Sequence, residues 1–334
     1  MSEKVAVIVR KEVLENLRSL RYWGLIVLFV LLFVAISAAI SAAMGSAFQG
    51  REVPAPERGR PATRGVAELR LVVQFVGSLS AAMSFVAPLL GIALGFSAIV
   101  AEREKGTIRL VLARPVYRDQ VLNGKILAAT ILIAIAVFVS TALSLPISAT
   151  LYGVTLTADD LSRLMLSLIP SILLALAYYA LSLFISVLSD RSGRALLYCI
   201  LAWIFLTFVL PIAASMIAYS VLGPPPAIAL NRTSATGVEI GVTVTVADEL
   251  PPQLQDYYRK LGEITSSVLM ISPNDRYFTL VNALFTRRSP QTTSYVDLGS
   301  IIATRWVDLA VLAAYVAVFT LLSYIFFVQR QEVR

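Results

Sequence analysis

AEREKGTIRLVLARPVYRDQVLNGK, residues Ala101 to Lys125, is a charged stretch set between two long apolar runs. Leu71 to Ala101 before it and Ile126 to Ala149 after it carry no charge at all. About 20 apolar residues in a helix cross the hydrocarbon core of a bilayer. Each flank is therefore read as a membrane span, and the stretch as the short connection between them on one face of the membrane.

Within the stretch, Glu102, Arg103, Glu104 and Lys105 alternate in sign where the chain leaves the membrane. Gly106 permits a sharp change of direction. Thr107 can cap a short helix, Thr107 to Ala113, whose Ile108, Val111 and Leu112 form an apolar ridge. Arg114-Pro115 stops that helix. Asp119 is placed to cap the helix that becomes the next span. A ridge edged by Arg109, Arg114 and Arg118 suits a groove on a partner protein. An amphipathic loop resting on lipid headgroups would carry the same pattern.

The totals agree with a membrane protein. The chain has 334 residues, 57% hydrophobic and 15% charged, with a mean hydropathy of +0.78. Soluble domains carry about 25% charged residues. The class read from this is an all-α polytopic membrane protein. The net charge is +7, but the basic residues lie beside apolar runs. That distribution reports membrane topology, not a nucleic-acid partner. Cys199 is the single cysteine, so no disulfide forms within the chain. There is no histidine, which removes the commonest general base and metal ligand. Candidate nucleophiles such as Ser140 and Ser182 thus lack the partner an intramembrane enzyme would need. Channels and ion-coupled transporters place ionisable groups within spans. Here Asp308 alone lies near one, at its edge. The N-terminus has no A-x-A-like cleavage site, so no removable signal peptide is expected.

Outward from the stretch, six spans are expected. Residues 1–21 read as a cytoplasmic amphipathic interface helix, with Val5, Val9, Val13, Leu17 and Leu20 on one face and its basic face toward lipid phosphates. Residues 22–222 hold spans one to five, with the cytoplasmic connection at 102–118. Span one is Tyr22 to Gln49, followed by a non-helical external loop over Arg51 to Arg70. Span two is too long for the core and should tilt, kink near Pro88 or project into the cytosol. Its Gly91 and Gly95 allow close helix contact, within the chain or between chains. After an external turn from Tyr152 to Arg163, span four (Leu164 to Leu188) should bend or break at Pro170, and span five (Ala195 to Leu222) contains Pro211. Residues 223–305 read as a small α+β extracytoplasmic segment. Val238, Ile240, Val242, Val244 and Val246 alternate as in a strand. Gln253 to Ile271 reads as a helix. Pro273 to Phe285 reads as a second, with Tyr277, Leu280, Val281 and Leu284 on one side and room to dip into the membrane edge. Residues 306–334 hold span six, Leu309 to Val328, and a cytoplasmic tail.

Six spans put both termini on one side. Fifteen basic residues flank the spans on that side, among them Arg10, Lys11, Arg103, Lys125 and Arg191, against six in the short opposite loops. Positive residues favour the cytoplasm. Both termini and the central stretch are therefore expected there, in a multi-pass protein of the cytoplasmic membrane.

The run Glu102-Arg103-Glu104-Lys105-Gly106-Thr107, continued by Leu110 to Val116, Arg118 and Gly124-Lys125, is similar to the signature of the ABC-2 type transporter permeases. The layout of the whole chain also resembles theirs, as does PNDRYFTLVNAL, more loosely. The resemblance implies that the stretch is a coupling helix seated in a cleft of a separate ABC ATPase subunit. Glu102, Arg103, Glu104, Gly106, Thr107, Ile108, Leu112, Arg114, Pro115 and Arg118 would be its coupling residues. ATP and Mg would be bound by that partner, and no cofactor by this chain, which lacks a GxxxxGK[ST] loop. It implies two permease chains, homo- or heterodimeric, with spans two and five at their interface, and export as the direction. Gln74, Tyr178, Tyr179 and Tyr198 are polar residues in spans, placed either to line a substrate path or to bridge helices. The segment before span six is larger than the short re-entrant helices usual in that family, leaving room for an external lid or an extracytoplasmic partner protein. The permeases associated with copper-site assembly in nitrous oxide reductase have a similar plan, although this sequence shows no metal-ligand cluster.

Overall fold

The computed structural model describes residues 3–49, 62–106, 118–152, 157–225, 252–286 and 295–329. Uncharged runs this long satisfy their backbone polar groups inside a bilayer only as helix. In chain order the elements are α1 (Glu3–Leu17), α2 (Leu20–Gln49), α3 (Ala62–Gly95), α4 (Val100–Glu104), α5 (Arg118–Tyr152), α6 (Ala158–Leu188) and α7 (Ser192–Ile204). A π turn (Phe205–Val209) leads into α8 (Leu210–Leu222), then α9 (Pro252–Leu269), α10 (Pro273–Leu284) and α11 (Leu298–Gln329). Among the described residues, six segments are long and apolar enough to cross a membrane: Tyr22–Ala39, Gly77–Glu104, Gln120–Ile147, Ala158–Leu188, Ser192–Leu222 and Leu298–Phe327.

α6 is the hub. Its Leu174, Ala175, Tyr178, Tyr179, Leu183 and Val187 are buried among α3, α5, α10 and α11. The Gly91 and Gly95 pair settles on α6 of the same chain. A Cβ at Gly91 would lie 2.2 Å from the Ala175 carbonyl oxygen, and one at Gly95 1.9 Å from Ser182 Oγ. The two backbones meet there, and only hydrogen fits between them.

Several boundaries differ from expectation, each for a local reason. α3 and α6 run through Pro88 and Pro170 without a break. Span two is instead interrupted at residues 96–99, where the amides of Ile99 and Val100 leave the helical ladder and donate to Ser186 Oγ at 3.2 and 3.1 Å. Helix begins at Ala62, so the loop expected to reach Arg70 is helical in its second half. α6 begins at Ala158 because Thr157 and Asp160 form a reciprocal capping box. α11 begins at Leu298, where Asp297 Oδ2 accepts from the Gly299 and Ser300 amides at 3.0 and 3.3 Å. Pro211 explains the π turn. It has no amide to offer the Thr207 carbonyl and its ring crowds that turn. The register slips by one residue, with the Leu210 amide bonded to the Phe205 carbonyl.

α1 packs against the chain itself. Val5 is buried, Val9, Val13 and Leu17 are half-buried, and Arg10, Lys11 and Arg18 are exposed. Its inner face rests on α5, with the Ile8 side chain against Gly124. Leu20, expected on that face, is 90% exposed and opens α2.

The described part of residues 223–305 is helical, and no strand occurs among the described residues. The alternating run from Val238 to Val246 lies outside them. The expected α+β character is not found among the described residues. α9 and α10 form a hairpin instead. α9 descends alongside α8, with Tyr257 Oη donating to the Gly223 carbonyl at 2.7 Å. At the tip, Tyr315 Oη of α11 donates to the Ile271 carbonyl. α10 then climbs antiparallel to α6, burying Tyr277, Leu280, Val281 and Leu284. Asn274 bonds Tyr178 at its lower end, and the Leu284 carbonyl accepts from Arg163 at its upper end. The ten residues between them cover about 15 Å of helix, half of a core about 30 Å thick. The sequence allowed this helix only the membrane edge; the contacts place its lower end level with Tyr178 and Thr207, midway along the fourth and fifth apolar segments.

Two arginines, Arg163 buried and Arg276 half-buried, hold the hairpin. Arg163 Nη1 and Nη2 donate to the carbonyls of Leu284 and Val296 at 2.6 and 3.0 Å, and its guanidinium lies 4.4 Å from the Tyr295 ring centre. Tyr295 Oη in turn donates to Asp160. Arg276 binds Asp308 of α11 and its neighbour Asp275, both at 2.7 Å. The aspartate read as lying at a span edge is thus 4% exposed and paired.

Candidate functional site

The acid-base-acid triplet of α4 faces the rest of its own chain, and each charge meets a different helix. Glu102 Oε1 accepts from Lys125 Nζ of α5 at 2.7 Å, and the same ammonium reaches Glu12 Oε1 of α1 at 3.1 Å. Arg103 Nη1 donates to the carbonyls of Val187 and Ser189 at the end of α6, at 3.3 and 2.9 Å. Glu104 accepts from the Ser192 amide at 2.9 Å and from the Ser192 hydroxyl, at the start of α7. The signs match the helix dipoles: a cation meets the carbonyl end of α6 and an anion the amide end of α7.

α4 therefore gathers α5, α6 and α7 onto five residues, and Lys125 ties α1 to the same point. Buried Ser186 adds a further tie through the amides of Ile99 and Val100. Lys125 is 8% exposed, and the carboxylates on either side of it are about a quarter exposed. The three line a cavity of about 210 Å³, with Asn16, Ser97 and Tyr179 completing its polar wall. Among the described residues no group of three or more Cys, Asp or Glu is placed to hold a metal ion.

Directly after α4, Gly106 has φ +68°. Side chains with a Cβ adopt that left-handed conformation at a cost, so the sequence turns sharply here because glycine is present. Of the residues singled out in the stretch, Glu102, Arg103, Glu104 and Gly106 are thus brought together. Thr107, Ile108, Leu112, Arg114 and Pro115 lie outside the described residues. Arg118 begins α5, its side chain outside the description.

The four polar span residues separate. Tyr178 and Tyr179 are buried within the chain: Tyr178 Oη donates to Asn274 Oδ1 at 3.0 Å, and Tyr179 Oη to the Lys125 carbonyl at 3.3 Å. In this chain they bridge helices. Tyr198 is half-exposed on α7. Gln74 lies in α3, its side chain outside the description. Sequence reasoning missed Glu12, Ser186, Ser192 and Asn274. Glu12 left one signal, a carboxylate on the same stripe as Val5, Val9 and Val13.

The sequence profile described as "ABC-2 family transporter protein" matches residues 6–332. The chain is 36% identical over 126 residues to the "Probable ABC transporter permease protein NosY" of Pseudomonas aeruginosa, covering 36% of this chain and 46% of that one. It is 38% identical over 64 residues to the protein of the same description from Stutzerimonas stutzeri, covering 19% of this chain and 23% of that one. The matched stretch thus spans less than half the length of either relative.

Proposed function

The chain belongs to the ABC-2 transporter family, and on that premise we propose that it is the permease subunit of an ATP-driven exporter of the cytoplasmic membrane. Its ATPase is a separate subunit that binds ATP and Mg. The segment from Thr107 to Arg118 docks on that subunit, with Ile108 and Leu112 in its groove and Arg114 and Arg118 at the rim. Two permease chains pair, both termini are cytoplasmic, and the basic face of α1 meets the lipid headgroups. The segment between α8 and α9 meets an extracytoplasmic partner protein.

One observation carries this reading. Glu102, Arg103 and Glu104 bond three different helices, and Lys125 ties in a fourth, immediately before the docking segment. A force applied at residues 107–117 reaches α4 through a single turn at Gly106, and from α4 it reaches α1, α5, α6 and α7 together. A loop that only rested on lipid would have no use for such a junction.

The test is co-purification with the cassette ATPase and measurement of its vanadate-sensitive ATP hydrolysis in nanodiscs. Arg114→Glu should abolish association, because a reversed charge at a desolvated rim costs several kcal/mol, about a hundredfold or more in affinity. Unchanged association and turnover in Arg114→Glu and Gly106→Pro would refute the docking role.

A further inference from the structure

The fifth span is held by its own chain in an unusual way. Its buried residues are Ala195 and Cys199 in α7 and Ala214 and Ala218 in α8, with none in the π turn. Trp203 and Leu206 graze the core, and the Phe208 ring lies 5.9 Å from Phe85. Small side chains leave a smooth surface with little to interlock. Three polar ties are seen among the described residues. Glu104 grips the first residue of α7. Tyr257 grips the carbonyl of Gly223 just beyond α8. Between them, Thr207 inside the π turn accepts from Asn274 Nδ2 at 3.0 Å, and Asn274 Oδ1 accepts from Tyr178 at 3.0 Å.

A π turn with a proline after it is the weakest point of such a helix, because the i→i+4 ladder is interrupted there. We infer that the fifth span works as two rods hinged at Phe205–Val209, with Glu104 as the positioning residue that moves the lower rod and Asn274 as the one that passes the bend to the re-entrant hairpin. This rests on the proposed function, which supplies the force on α4. When α4 shifts, Glu104 carries the start of α7 with it. The upper rod, α8, stays with α9 through Tyr257. The span bends where its ladder is already broken, and Thr207 is the residue at the bend. Asn274 is the first polar side chain of α10 and sits at the tip, so the bend is felt where the hairpin meets the middle of the fifth span. The cytosolic half of the span thereby moves without forcing the outer half to follow.

Hydrogen exchange read by mass spectrometry on the assembled transporter in nanodiscs tests this, comparing the nucleotide-free state with ATP plus vanadate. Peptides covering 107–117, 205–210 and 270–276 should all change between the two states. Glu104→Ala should keep the change at 107–117 and lose it at 205–210. Glu104→Gln, which still accepts from the Ser192 amide, should restore it. Asn274→Ala should keep the change at 205–210 and lose it at 270–276. Pro211→Ala returns the missing amide, closes the ladder and should slow exchange at 205–210 in both states. If Glu104→Ala does not assemble, the Pro211 and Asn274 variants decide the matter. A change at 107–117 with none at 205–210 in the unmodified protein overturns the hinge and leaves the docking reading intact. No change at 107–117 overturns the docking reading, and the hinge falls with it.

Discussion

Replacing Gly91 by alanine adds one methyl group, and the structure says where it would go. The new Cβ would lie 2.2 Å from the Ala175 carbonyl oxygen and 2.7 Å from the Tyr179 amide nitrogen. Both are backbone atoms of α6, so no rotamer change relieves the overlap. Carbon and oxygen want about 3.3 Å or more, so α3 and α6 must separate by roughly 1 Å at their closest point, and overpacking on that scale costs about 1–3 kcal/mol, occasionally more. Alanine alone would favour the helix by about 1 kcal/mol. The two effects have opposite signs, so the outcome decides between contact and no contact. Gly77, in the same helix, has nothing within 4 Å of its built Cβ. Gly77→Ala should therefore be neutral or stabilising, while Gly91→Ala, whose overlap with rigid backbone puts it at the top of that range, about 3 kcal/mol less the helix gain of about 1, should destabilise by about 2 kcal/mol net. Gly95→Ala adds a second contrast, because its nearest obstacle is the Ser182 hydroxyl at 1.9 Å, with the Tyr179 carbonyl at 2.9 Å. Pairing it with Ser182→Ala should recover part of the loss, and no side-chain truncation should rescue Gly91→Ala. Thermal unfolding in detergent, monitored by intrinsic fluorescence, reads all four. A Gly91→Ala protein as stable as Gly77→Ala would show that the two helices do not meet there.

Lys125→Met strands Glu12 and Glu102 beside each other. Breaking a buried pair costs about 3–5 kcal/mol, and the partial exposure of the carboxylates brings the expected loss to the lower end; adding Glu12→Gln and Glu102→Gln should recover most of it in a thermal melt. Arg163→Lys keeps the charge but loses the fork that reaches two carbonyls, and should cost about 2 kcal/mol. Its effect should appear as faster hydrogen exchange at 284–286 and 295–298, and equal exchange in both proteins would count against the clamp. Gly106→Val should lower affinity for the ATPase by straining a φ of +68°, with about 1–2 kcal/mol of strain equal to roughly a tenfold loss; an unchanged affinity would mean that the turn adapts.

The spans were legible because a charge-free run of the right length has only one stable form in lipid. The buried face of α10 was legible too, since Tyr277, Leu280, Val281 and Leu284 repeat at helical spacing. What the runs hid were partners. GxxxG announces a close contact and does not say with what, and here α6 of the same chain fills it. The alternation Glu102-Arg103-Glu104 marked the stretch as unusual. Its meaning depends on residues 23, 86 and 88 positions away, on three different helices. The break at 96–99 was hidden for the same reason, because Ser186 in another span causes it. The depth of the hairpin followed from no pattern at all. α9 is polar enough to read as water-facing, and bonds to Tyr315, Tyr178, Thr207 and Asp308 draw its tip inward.

That hairpin has a consequence for how the protein is made. Neither limb can hold itself in lipid: α9 is rich in charge and α10 is 12 residues long. Its lower fastenings on one side, Tyr315 and Asp308, belong to α11, which leaves the ribosome after it. Until α11 is inserted, Arg276 has no Asp308 to meet. The hairpin therefore has to seat in a slot whose last wall is synthesised later, so a chain cut short before α11 should display an unseated hairpin, read as faster proteolysis of residues 252–286.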